Sequence, residues 1–174
     1  MSTYLIIDGY NLLGAMRGWS EKLESAREDL LEMLAAYRHR KRYDITVVFD
    51  GWQHDRPVEQ HDRYGGVQVV YSKRGEKADQ VIQRLVRHYG PDCALVTSDR
   101  EIIRVAHVHG AFVLEAREFA AKLQGTLSGV GGPMPHKELD SGDDDRPGRG
   151  STKRGNPRKL PKAERRRQHQ LKRF

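Results

Sequence analysis

Only one cysteine, Cys93, occurs in the 174 residues. No disulfide can form within the chain, and no cysteine cluster can hold a metal. Long apolar runs are missing too. The longest, such as residues 4–7, have four or five members, too few for a membrane span. No basic region followed by an apolar stretch opens the sequence, so no secretory signal is expected. These absences point to a soluble protein of a reducing compartment, the cytoplasm. The eight histidines offer no zinc site: His54 and His61 share one stretch and His107 and His109 another, without a ligand signature.

Positive charge is present but unevenly spread. The net charge of +7 hides two opposed regions. From Arg146 onward, 12 Lys and Arg face a single acid, Glu164, which gives +11; residues 1–145 hold 19 basic and 23 acidic residues, or −4. A mildly acidic body thus carries a strongly basic arm. Such an arm suits a polyanion, and the neutralisation of each phosphate would release counterions. With so few apolar residues it has no face for a lipid surface.

Five short apolar runs punctuate the body: residues 3–7, 45–49, 67–71, 93–97 and 111–114. Each is apolar on both faces, as buried strands of a parallel sheet are. Helical spacing fills the intervals at 20–41, 77–89, 99–108 and 115–123, with Ser25 and Glu28 at capping-box spacing in the first. The alternation predicts an α/β sandwich with a mostly parallel five-stranded sheet. Residues 51–66 read as a surface flap or a short helix. Residues 125–150, rich in Gly, Ser, Pro and Asp, read as a flexible linker and 151–174 as a disordered basic tail, in which Pro161 could start a short helix.

Three aspartates share one address. Asp8, Asp50 and Asp99 each follow an apolar run directly or after one small residue, and Asp79 opens the helix after Gly75. In a parallel sheet the carboxyl ends of the strands lie along one edge, and ligands bind there at the switch in strand order. Carboxylates brought together repel one another, which raises their pKa values. A hard divalent ion, Mg²⁺ or Mn²⁺, relieves that repulsion, and it can activate water for attack on a phosphodiester. The plainer use of an Asp after a strand is to cap a helix or form a turn. Ser98 and Asn11 are candidates for orienting the acids. Lys73, Arg74, Lys77 and Arg100 stand in loops near the same edge, placed to grip phosphates. Trp19, Trp52 and Tyr10 are candidates for stacking on a base.

Asp8-Gly9-Tyr10-Asn11-Leu12-Leu13 resembles the opening motif of the NYN domain in its YacP-like branch. Val47-Val48-Phe49-Asp50, the stretch from Gly75 to Ile82, and Val96-Thr97-Ser98-Asp99-Arg100 resemble its next three motifs, in order. The resemblance covers residues 3–123. It implies a PIN-like three-layer sandwich with strand order 3-2-1-4-5, numbering the five expected strands along the chain. It also implies a metal-dependent endoribonuclease with Asp8, Asp79 and Asp99 as metal ligands, Asp50 as the acid after the second strand, and Asn11 orienting the site. Residues 1–124 would form this nuclease domain. Because the branch includes ribosome-associated enzymes that cut mRNA, RNA and the ribosome become expected partners, with Arg165, Arg166 and Arg167 of the arm among the RNA contacts. The chain departs from the family pattern at Lys77, where Thr is common, and at Gln83, where an acid is common. Those departures favour the alternative of a non-catalytic RNA- or ribosome-binding module. A phosphohydrolase of the haloacid-dehalogenase type would need Asp-x-Asp after the first strand, and Tyr10 stands at the second Asp position.

Overall fold

Each apolar run forms a strand. A computed structural model of the chain describes residues 4–16, 23–51, 57–128, 161–172 and 174. The first run gives β1 (Tyr4–Asp8), followed without a break by a short helix α1 (Gly9–Ala15) and then the long α2 (Leu23–Lys41). Next come β2 (Asp44–Phe49), β3 (Gln60–Tyr64), β4 (Val67–Tyr71) and α3 (Ala78–Tyr89). A single 3₁₀ turn leads into β5 (Cys93–Val96), then α4 (Arg100–Val108), β6 (Phe112–Leu114) and α5 (Ala116–Leu127).

The sheet order is β3-β4-β2-β1-β5-β6, and every pairing is parallel except β3 with β4. The five expected strands therefore take the expected order, and a sixth joins the β4 edge. This strand, β3, corrects the reading of residues 51–66 as flap or helix. Its sequence is polar and almost wholly exposed, so it carries no hydrophobic period. Backbone pairing through the Gly65-Gly66 turn holds it, both glycines having positive φ. Two other differences concern helices. The opening motif curls into α1, and Ser25 and Glu28 lie within α2, so they do not form its cap.

Helices cover both faces. Ile6, Val48, Val70 and Leu95 meet Val81, Ile82, Ile102 and Ala106 of α3 and α4 in one core. On the other side, Tyr37 of α2 stacks edge-on against Phe119 of α5 at 5.4 Å, both fully buried. This clamps the sheet into three layers and leaves its two ends open. Because β1 lies between β2 and β5, the chain's direction of travel across the sheet reverses at β1. The carboxyl end of β1 is thus the switch point.

The chain divides into two compact units, Met1–Gly131 and Gly132–Phe174. In the first, α5 continues through Leu127, so the opening residues of the expected linker are helical. Residues 129–160, which include the rest of that linker and the start of the arm, lie outside the described residues. In the second, Pro161 precedes a helix α6 (Lys162–Leu171), on which Arg165, Arg166 and Arg167 are exposed.

Candidate active site

Asp8 ends β1 and caps α1: its Oδ1 accepts the Asn11 N–H at 3.2 Å. Its Oδ2 accepts from the Thr97 hydroxyl at 3.2 Å. The side chain is nearly buried. Gly9 after it packs on Phe49 so closely that a Cβ there would sit 2.3 Å from the ring. Burial is the main cause that pushes the Asp8 pKa up to about 6; the two hydrogen bonds oppose it, and the charges of Asp79 and Asp50 add to it.

Thr97 is fully buried and serves two acids. While its hydroxyl donates to Asp8, the same oxygen accepts the Asp99 N–H at 3.1 Å. Asp99 in turn caps α4, its Oδ1 accepting from the N–H groups of Glu101 at 2.7 Å and Ile102 at 3.4 Å. Thr97 stands in the fourth family-like motif of the sequence, which does not disclose its bridging role. The available signal was a hydroxyl residue breaking an apolar run one step before Ser98-Asp99.

Asp50 follows β2, and its Oδ1 accepts the Ala78 N–H at 2.6 Å, so it caps α3 from 28 residues away. Lys77, at the local cap position, makes no side-chain cap. The turn after Asp50 is fixed by Ser72, whose hydroxyl accepts the Gly51 N–H at 3.0 Å. Asp79 lies in the first turn of α3, and its pKa is raised, first by burial and then by the charges of Asp99 and Asp50; Lys77 opposes this and Glu101 adds to it. Asp8 thus feels the charges of Asp79 and Asp50, and Asp79 those of Asp99 and Asp50, although the four come from separate stretches of chain.

Asn11 links the two halves of the edge. Its N–H donates to Asp8, and its Oδ1 accepts the Ser98 N–H at 2.9 Å. The Ser98 hydroxyl accepts the Ala116 N–H at 3.3 Å, which caps α5. Both expected orienting residues are therefore at the site, Asn11 through a direct bond to Asp8 and Ser98 through its backbone and its cap.

Around the rim, Lys73, Arg74, Lys77 and Arg100 are exposed, the first three in the β4–α3 loop and the last in the first turn of α4. Gln83 stands half-buried one helical turn beyond Asp79. Glu76 belongs to a different group, paired with Arg84 at 2.7 Å in a network that also takes Glu59 and His61. Tyr10 is used in packing, its ring edge-on to Phe49 at 5.2 Å. Trp19, Trp52 and His54 lie outside the described residues.

The donor chemistry suits a hard cation: the four gathered acids offer oxygen donors only, and the charges of Asp50 and Asp79 press on Asp8 as those of Asp50 and Asp99 do on Asp79. Among the described residues no three His, Cys, Asp or Glu side chains close up tightly enough to hold an ion as they stand. Mg²⁺ retains several waters and takes one or two carboxylates directly, so a loosely gathered set is compatible with it. No helix among the described residues is long and apolar enough to cross a membrane.

No curated protein matches the chain. Two crystal structures of Rae1 (YacP) from Bacillus subtilis are similar to it. A mutant form is 25% identical with a TM-score of 0.60, and the match covers 74% of this chain and 79% of that one. Another structure is 22% identical with a TM-score of 0.56, covering 75% and 78%. The sequence profile of the YacP-like NYN domain matches residues 5–141. The chain therefore belongs to the YacP-like NYN domain family, which carries a PIN-like nuclease fold.

Proposed function

We propose that this chain is a metal-dependent endoribonuclease that hydrolyses RNA phosphodiesters. The observation that carries the proposal is the gathering of Asp8, Asp50, Asp79 and Asp99 at the switch point of a parallel sheet, in a family of nucleases. Asp8, Asp79 and Asp99 would hold Mg²⁺ or Mn²⁺. Such an ion, when bound, supplies a nucleophile from water at neutral pH and neutralises charge on the phosphoryl group. Asp50 adds negative charge beside it and keeps α3 in place. Asn11 and Thr97 fix the Asp8 carboxylate between two donors, and Thr97 also fixes the backbone of Asp99. Ser98 anchors α5 against the same loop.

Lys73, Arg74, Lys77 and Arg100 would grip phosphates on either side of the cut. The exposed Arg165, Arg166 and Arg167 of α6 add a contact without sequence preference, to RNA or to the ribosome. We place the activity in the cytoplasm, on mRNA. One observation favours a second reading, a binding module without catalysis: Asp50 and Asp99 are each already engaged as helix caps.

An RNA cleavage assay in Mn²⁺, with and without ribosomes, separates the readings. Asp99→Asn is the informative variant because asparagine caps a helix as well as aspartate does. Cutting by the wild type that EDTA and Asp99→Asn both abolish supports the nuclease. Equal cutting by both proteins overturns it, and RNA binding without cutting under any metal favours the module.

A further inference from the structure

Gly14 has no local reason to be glycine. It lies inside α1, its φ is not positive, and a Cβ built on it meets nothing within 4 Å. Gly9, five residues earlier, is forced by Phe49. Glycine within a helix is less stable than alanine; at this exposed position it leaves the adjoining surface uncovered.

The space is a cavity of about 390 Å³ between the end of α1 and one face of α5. Gly14, Ala15 and Met16 form one wall; Arg117, Ala120, Ala121 and Gln124 form the other. The α5 residues recur at i, i+3, i+4 and i+7, so they share one helix face running about 10 Å. Ala120 and Ala121 are small, which leaves the floor flat, and Arg117 and Gln124 are polar. Arg117 makes no ion pair among the described residues, and both it and Gln124 are exposed.

Both helices that wall the groove are anchored at the carboxylate site. Asn11, which holds Asp8, is on the same helix as Gly14. Its Oδ1 binds the Ser98 N–H, and Ser98 caps α5 immediately before Arg117. Arg117 therefore stands at the end nearest the acids and Gln124 at the far end.

We propose that this groove is a subsite for one nucleotide of single-stranded RNA next to the cut, with its base on the small-residue floor. The proposal rests on the nuclease reading above. Arg117 meets the phosphate or stacks its guanidinium on the base, and Gln124 offers a donor and an acceptor to the base edge. The volume lies within the range of small-ligand sites, roughly 300–1,000 Å³. RNA fits better than a protein segment because the groove offers little apolar surface and carries a cation, Arg117, one residue after the Ala116 N–H that Ser98 holds.

The test uses the full chain and a short fluorescent single-stranded RNA of mixed sequence, with affinity read by anisotropy and cutting read in Mn²⁺. Gly14→Phe fills the groove from a position with room for the ring to start. It should weaken binding roughly tenfold and raise KM with little change in kcat. Arg117→Glu, at an exposed position, should give a similar loss without disturbing packing. Arg87→Glu, at the far end of α3, makes the same change in charge and should shift affinity less than about twofold. Failure of the wild type to bind, or wild-type binding by Gly14→Phe and Arg117→Glu, overturns the subsite. If the wild type binds without cutting and both variants still lose affinity, the nuclease reading fails and the groove stands.

Discussion

Thr97 and Asp8 are 89 residues apart in sequence and joined by one hydrogen bond, hydroxyl to Oδ2, at 3.2 Å. Because the same hydroxyl oxygen accepts the Asp99 N–H, a single buried side chain sets the spacing between two of the acids. Thr97→Val keeps the shape and removes both bonds. It leaves a buried carboxylate short of a donor and an N–H without an acceptor, for a loss of about 1–3 kcal/mol in unfolding free energy. Chemical denaturation checks this, and a loss under about 0.5 kcal/mol would mean that the bridge contributes little.

Asp8 should make the metal-free protein less stable as pH rises. Its folded pKa of about 6 is above its ordinary 3.8, so the folded state holds the extra proton between those values. Stability then falls as pH climbs through that window, and the full penalty, about 3 kcal/mol, is in place above pH 6. Asp8→Asn removes the charge. Without metal, its melting temperature should exceed that of the wild type at neutral pH, and the gap should close as pH drops below the ordinary aspartate range. A gap independent of pH would contradict the assignment.

Asp50 combines two roles that different substitutions separate. Asp50→Ala removes the cap on α3 and should cost about 1 kcal/mol. Asp50→Asn preserves the cap and should leave stability nearly unchanged. If the Asp50 charge supports the ion from outside its direct ligands, Asp50→Asn still reduces cutting about 10–100-fold. Unfolding curves and cleavage rates on the same samples report the two effects independently.

Gly51 tolerates no side chain. A Cβ there would sit 1.9 Å from the Ser72 carbonyl oxygen, which is backbone and cannot step aside. Gly51→Ala should destabilise by about 1–3 kcal/mol or more and displace Asp50, its neighbour. A thermal melt matching wild type would show that the turn is more yielding than its contacts imply.

The five parallel strands and their helices were legible because burial on both faces leaves an unbroken apolar run, as in residues 45–49. The sixth strand was not, since Gln60–Tyr64 buries almost nothing and is held by backbone bonds to β4. Three of the acids were legible from their position after strands, which topology converts into proximity. The long-range caps were hidden for the same physical reason that β3 was: the Asp50 bond to Ala78 spans elements that only the fold brings together. Thr97 was also hidden, because a threonine in an apolar run satisfies strand propensity and shows no sign of its partners.

Titration with Mn²⁺ followed by electron paramagnetic resonance measures directly whether these carboxylates share a divalent ion. Wild-type protein should bind Mn²⁺ saturably and release it to Mg²⁺, while Asp8→Asn and Asp79→Asn, both still folded, should lose that binding. Equal Mn²⁺ binding by all three proteins, or none by the wild type, would contradict the account.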